Sequence, residues 1–498
     1  MKKSRILLIV VCISLFIGGI WIGKSIFGNK GGDTPPPVPS YFSASTTSDS
    51  ATVAAIAFSG TVLEVKDGGS IQEAVSKAVA GDMIRVYPGT YKETVYIDKD
   101  NIILQGVIQQ GKWPTLEGEG IRNDGILYSG NGIMIENFKI TNYKGNGIMG
   151  QAGNNYVIRN NWVIDAGVYG IFPEFGKNGL IEHNVLTGIK DAAIYVGMCD
   201  NVDVLHNEVY GNVAGIEIEN TRHALVENNY AHDNTGGILA FITPGLPIKT
   251  AYDIIIRNNF VINNNHENFG APGSIVAGIP PGTGILIMAA DQVTIENNII
   301  TGNDNAGITI TDLAYGANMA NDPESEPNPD NIVILDNFMA NNGNNPVGEL
   351  KALMLARLSK KGPDIISVGG GQGGCIRDIN RYRTVGLDNY AQCEVTNTKA
   401  VHSYLTAEVV PPRKVSLEEK GKMAYYGICA GCHAYNVRMI GPATSIIQAL
   451  YYDNPEGIRD YINNPIRKRE DYPEMPPQNY LPEDVKLAVA EYLLTISK

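Results

Sequence analysis

Cysteine is scarce in this chain: six in 498 residues, too few for a disulfide scaffold and each worth placing. Tryptophan is scarcer, with three residues, and charged residues make up only 18%. Basic residues are outnumbered by acidic ones, 39 to 52, for a formal net charge of -13. No basic stripe is present, which argues against non-specific binding to nucleic acid. Beyond the first residues no apolar run is long enough to cross a bilayer. What is abundant is glycine, at 55 residues, together with asparagine, and 44% hydrophobic content marks a folded chain rather than a disordered one.

The N-terminus is basic (Met1-Lys2-Lys3-Ser4-Arg5) and is followed by an uncharged run from Ile6 to Gly23. The basic start keeps the N-terminus inside and exports the remainder of the chain. No convincing small-residue cleavage site follows the run, so residues 1–23 are expected to be an inner-membrane anchor rather than a cleaved signal segment. Either reading puts the protein in the cell envelope, on the periplasmic side. Residues 24–60 are Pro/Gly- and then Ser/Thr-rich and read as a flexible linker.

A repeat decides the architecture. A marker asparagine recurs at Asn137, Asn161, Asn184, Asn207, Asn229, Asn259, Asn298 and Asn337, at spacings of 24, 23, 23, 22, 30, 39 and 39. Between markers apolar residues alternate with period two, as in Ile216/Ile218 and Ile308/Ile310, so the pieces are strands. About 23 residues with two or three strands describe one coil of a parallel β-helix, in which each strand pairs with the next coil roughly 4.8 Å away. Asparagine at a fixed place suits a tight turn and a hydrogen-bonded ladder. The expected fold is an all-β right-handed parallel β-helix with its caps over 61–412, followed by a small all-α domain over 413–498. The longer spacings mark insertions at about 242–252, 263–283 and 312–330, which on a solenoid often form the working face. Ser70 to Asp82 reads as a short amphipathic capping helix with Ile71, Val75, Ala78 and Val79 on one face. Cys375 and Cys393 are the pair an oxidising compartment could join, and Cys199 reads as a lone buried or turn thiol.

With that cap, residues 61–345 resemble the entry and repeats of right-handed β-helix proteins such as the pectin lyases and pectin methylesterases. The resemblance brings no catalytic set: an Asp-Asp pair with a following Arg and a Gly-His-Gly are both missing, and Ala231-His232-Asp233-Asn234 departs from the uronate epimerase motif. The stretch Ile194–Met288 is more similar to an uncharacterised β-helix family that occurs beside or fused to cytochrome c domains.

In register, the outward positions form one column of Met149, Phe172, Tyr195, Glu217 and Leu239, and a second of Glu174, Gly197, Glu219 and Phe241. Phe172, Tyr195 and Phe241 are candidate sugar-stacking residues. Glu174 and Glu219, two coils or about 9.6 Å apart with Gly197 leaving a gap, and Glu217 with Glu219, about 7 Å apart on one strand face, are weak candidate acid–base pairs. A stripe covered by loops or by the C-terminal domain, or bound by another protein, is the first expectation; glycan binding and catalysis are the others.

Cys429-Ala430-Gly431-Cys432-His433 has the CxxCH spacing of haem attachment. Two thiols three residues apart reach the two porphyrin vinyl groups, and the next imidazole falls under the iron. The helix reading of Leu417 to Tyr426, the segments Ile440-Gly441-Pro442 and Met475-Pro476-Pro477, and a last helix from Pro482 resemble the class I c-type cytochromes over 413–498. The resemblance implies one covalently attached haem c, with Cys429, Cys432, His433 and Met475 binding it and His433 and Met475 as iron ligands. Met439, six residues after His433, is the competitor. The expected function is that of an exported mono-haem cytochrome passing electrons to a redox partner protein, with the β-helix as docking scaffold. The alternative is a carbohydrate-active β-helix enzyme (polysaccharide lyase, epimerase or sugar oxidiser) whose partner is an acidic polysaccharide or cell-wall glycan.

Overall fold

The computed structural model describes residues 58–316, 322–436, 438 and 440–496. The expected membrane anchor, nearly all of the expected linker, and Met439 lie outside those residues. No helix among the described residues is long and apolar enough to cross a membrane.

Three parallel sheets of 13, 11 and 10 strands wind as a β-helix. One coil runs through Val157–Arg159, Trp162–Ile164 and Ile171–Glu174, one strand in each sheet, and each strand pairs in parallel with its counterparts one coil before and after. Inward side chains stack into a continuous interior, with Ile171, Ile194, Ile216, Ile238, Ile285 and Ile308 in one file, all fully buried. Filing one residue type along the axis is what a constant cross-section requires, and burying each isoleucine contributes roughly 1.5–3 kcal/mol.

The asparagine markers form the expected ladder. Asn207 donates from Nδ2 to the Ile181 carbonyl and to Oδ1 of Asn229, both at 3.0 Å, and its own Oδ1 accepts from Asn184. The ladder runs from Asn161 to Asn337 at the corner between the 13-stranded and the 10-stranded sheet. Asn137 is not part of it. Its ladder place is held by Phe138, whose N–H donates to Asn161, while Asn137 is the preceding corner residue with φ of 67°. Asn160, His183, His206 and Asn228 hold the same left-handed corner in later coils. A second ladder, Asn212–Asn234–Asn264–Asn303–Asn342, satisfies the next corner in the same way.

The capping helix is shorter than expected, Ile71–Lys77, with Ser70 as N-cap. Ile71, Val75 and Ala78 are buried, but Val79 is 64% exposed because the chain is already extended at Ala78. The expected Cys375–Cys393 disulfide is present and ties strand Cys375–Ile376 to the loop beyond it. Cys199 is a buried free thiol.

Beyond the last coil the chain turns back. Residues 398–411 retrace the outer face of the first sheet coil by coil: Thr398 on Glu296, Tyr404 on Asp203 and Asp253, Thr406 on Asn178, Val410 on Asn155, Pro411 on Asn154. The boundary expected after residue 412 is therefore preceded by a segment hydrogen-bonded to the solenoid at Val410 and Pro411. Helices Leu417–Ala424, Thr444–Leu450, Pro455–Asn463 and Glu483–Thr495 come next. Gly421 lets the first of them touch the last, since a β-carbon there would lie 2.4 Å from the Ala488 carbonyl oxygen.

Candidate functional site

The outward columns fall in the register expected. Tyr195 pairs with Glu217 and Gly197 with Glu219; Glu217 then pairs with Leu239, and Glu219 with Phe241. The same two columns continue as Leu286/Met288, Thr309/Thr311 and Ile366/Val368. Alternation along each strand sends these side chains to the outer face of the 11-stranded sheet.

One half of that face is covered by the chain's own C-terminal segment. Ile428, Tyr480 and Leu481 pack into a cluster with Met149, Phe172 and Tyr195. A β-carbon on Gly427 would lie 1.9 Å from Cε of Met149 and 2.9 Å from Oε2 of Glu174, so the backbone at Gly427 sits directly against both side-chain ends. Tyr480 donates its hydroxyl to the buried Asp124, and Lys144 reaches the Glu474 carbonyl at 3.1 Å. Tyr169, Phe172 and Tyr195 form a triangle of rings with centroids 4.5–4.6 Å apart. Phe172, Tyr195 and Glu174 are consequently inaccessible from outside. The gap expected at Gly197 is filled by the Tyr195 ring.

The other half is an open groove of about 650 Å³. Glu217 stands at one end and Ile366 and Val368 at the other, with Leu239, Phe241, Leu286, Met288, Thr309 and Thr311 as floor. One wall is Ile275–Pro280, from the expected insertion at 263–283, and another is the first turns of helix Gly348–Ala356. Of the three expected stacking residues, Phe241 alone lines the groove. The wall at 275–280 falls in an insertion expected to form a working face, whereas the wall at 347–353 was missed, because nothing there departs from an ordinary helix pattern.

Where groove and covered face meet, Glu174, Asp191, Glu217 and Glu219 all stand near one phenol, and burial, then their charge, raises the Tyr169 pKa. Glu217 is 1% exposed and its Oε1 has no hydrogen-bond partner; the same holds for Oε2 of Glu174. Burial, then the charge of Asp191, pushes the Glu217 carboxyl well above the usual carboxylate range. Burial, then Glu219, does the same to Glu174 and Asp191. Glu219 is pushed up to about 7, chiefly by burial. Two carboxyl groups on one strand face, one protonated and one titrating near neutrality, can give and take protons in the same reaction. Asp191 was not anticipated, since it precedes its strand and carries no periodic signal.

Cys429, Cys432 and His433 share one turn, with the His433 N–H donating to the Cys429 carbonyl at 2.9 Å. Nδ1 of His433 lies 2.8 Å from the Pro442 carbonyl oxygen. Met475 and Cys429 both pack against the cluster Tyr425, Ile458, Ile462, Ala490 and Leu493. The expected haem c is corrected at this point. Among the described residues no group of three or more His, Cys, Asp or Glu side chains could hold a metal ion. The haem expectation is withdrawn on that finding, and the comparisons below lend no support to the electron-transfer function or the redox partner tied to it.

A family model described as the right-handed β-helix region matches residues 44–208 and 176–323, together more than half of the chain. The chain belongs to the right-handed β-helix family. Residues 413–498 of this β-helix protein lie beyond the match. No curated protein matches the chain. Similar solved structures include the A-module of a mannuronan C-5 epimerase from Azotobacter vinelandii, at 14% identity and a TM-score of 0.40, covering 64% of this chain and 85% of that one. An alginate lyase from Paenibacillus shows 15% identity and a TM-score of 0.39, with 57% and 97% covered. A DFA-IIIase from Arthrobacter chlorophenolicus shows 12% identity and a TM-score of 0.40, with 67% and 96% covered.

Proposed function

We propose that this β-helix protein is a carbohydrate-active protein of the cell envelope that acts on a polysaccharide in the groove of the 11-stranded sheet. The observation that carries the reading is Glu217: a buried carboxyl with an unpartnered oxygen at the inner end of an open groove. A carboxyl left without a partner costs about 1–3 kcal/mol, and a bound hydroxyl or glycosidic oxygen would supply the missing bond. Glu217, whose carboxyl burial pushes well above the usual carboxylate range, is the general acid, and Glu219, near 7 and behind it on the same strand face, is the base that exchanges protons with it. Phe241 offers an aromatic face on the floor. Glu174 has no part in the reaction, because Gly427 covers it. Export is supported by the Cys375–Cys393 disulfide, a bond kept in oxidising compartments.

Glycan turnover by the full chain, followed by mass spectrometry of the products from a polysaccharide panel, tests this. Glu217→Gln and Glu219→Gln are each expected to slow turnover about a hundredfold or more. Full activity in either variant would remove the acid–base assignment.

A further inference from the structure

We infer that the groove takes an uncharged glycan rather than a uronate, an inference that rests on the polysaccharide reading above. Among the described lining residues none is Lys or Arg. The charged residue types that line it are both acids: Glu217 at the inner end and the exposed Glu349 at the rim. Behind Glu217 stand Glu219, Asp191 and Glu174, and the whole chain is at -13. A uronate chain brings one negative charge per sugar and needs a cation or a bidentate arginine to hold it. The described lining residues supply no cationic side chain. Each carboxylate of the ligand would also hold the four protein carboxyl groups more firmly in their protonated form, which takes away the base at Glu219.

The floor fits the uncharged alternative. Leu239, Phe241, Leu286 and Met288 present an apolar surface to the C–H faces of sugar rings, while Thr309, Thr311 and Asn305 offer neutral hydrogen-bonding groups to ring hydroxyls. Five successive strands, from Ala214–Glu219 to Ile365–Val368, underlie the groove, which is thus about 19 Å long. That length suits an oligosaccharide laid along the solenoid axis.

Two probes with one backbone separate charge from shape: a mannuronate hexamer, and the same hexamer with its carboxyl groups reduced to primary alcohols. Calorimetric titration of the full chain at pH 7 is expected to show the reduced hexamer binding at least about tenfold tighter. Thr309→Lys, which sets a cation on the half-buried floor, is expected to shrink that preference or reverse it. Tighter binding of the uronate hexamer by the unaltered protein would overturn the inference and leave the polysaccharide reading standing. Binding of neither hexamer would overturn both.

Discussion

A β-carbon at Gly197 would lie 2.2 Å from Cε1 of Tyr195, because the Tyr195 ring folds back over that glycine. The ring thereby fills the space between Glu174 and Glu219 and carries the apolar cluster on which the C-terminal segment rests. Gly197→Ala must move a ring that is 5% exposed and packed edge-on against Phe172. A loss of about 1–3 kcal/mol is expected, as for other overpacked sites. Chemical denaturation of Gly197→Ala, Tyr195→Ala and the double variant checks this. The double variant is expected to lose clearly less than the sum of the two, because the methyl clashes only while the ring is there.

The asparagine ladder makes a second prediction. Asn207 is fully buried, donates twice and accepts twice through its amide. Asn207→Ala strips partners from Ile181, Asn184 and Asn229 inside a dry corner, and a cost of roughly 3 kcal/mol is expected. Asn258→Ala, one residue before the ladder and hydrogen-bonded at the surface to Glu227 and Asn297, is expected to cost about 1 kcal/mol or less. Equal denaturation midpoints for the two variants would remove the ladder as a source of stability.

Stability should also depend on pH through the buried acids. Glu219 holds its proton up to about 7 in the folded chain, against an ordinary value of 4.5. The folded state therefore binds more protons than the unfolded one between those values, and stability falls as pH rises across that window. Glu219 alone accounts for about 3 kcal/mol of that fall. Glu174, Asp191 and Glu217, all raised, act in the same direction. Denaturant midpoints at pH 4.5, 6 and 7.5 are expected to drop for the natural chain and to drop less for Glu219→Gln. A rise in midpoint over that range would show that these carboxyl groups ionise freely.

The coil and its inward file were legible because period-two alternation recurs at a near-constant spacing, and the outward columns followed from it by register alone. Asn137 misled by one place: asparagine is favoured both on the ladder and at the left-handed corner before it, and only geometry tells Asn137 from Phe138. The second ladder carries the same residue type at the same spacing and was equally readable. Which half of the outward face is open was not readable, since it depends on where residues 427–428 and 480–481 come to rest, hundreds of positions away. That long-range packing buried Phe172, Tyr195 and Glu174 and left Glu217 and Phe241 facing the groove. CxxCH was the most specific local motif, but a spacing of ligands along the chain says nothing about which other side chains gather around them.

The most direct measurement is oligosaccharide binding by a chain whose groove has been filled. Leu286 lies half-buried on the floor and points away from the solenoid interior, so Leu286→Trp should occupy the groove without touching the inward core. With the carboxyl-reduced hexamer as titrant, the account predicts at least a tenfold weaker Kd, about 1.4 kcal/mol, and a melting temperature within a few degrees of the natural chain. Unchanged affinity in a folded Leu286→Trp protein would contradict it and move the glycan to another face.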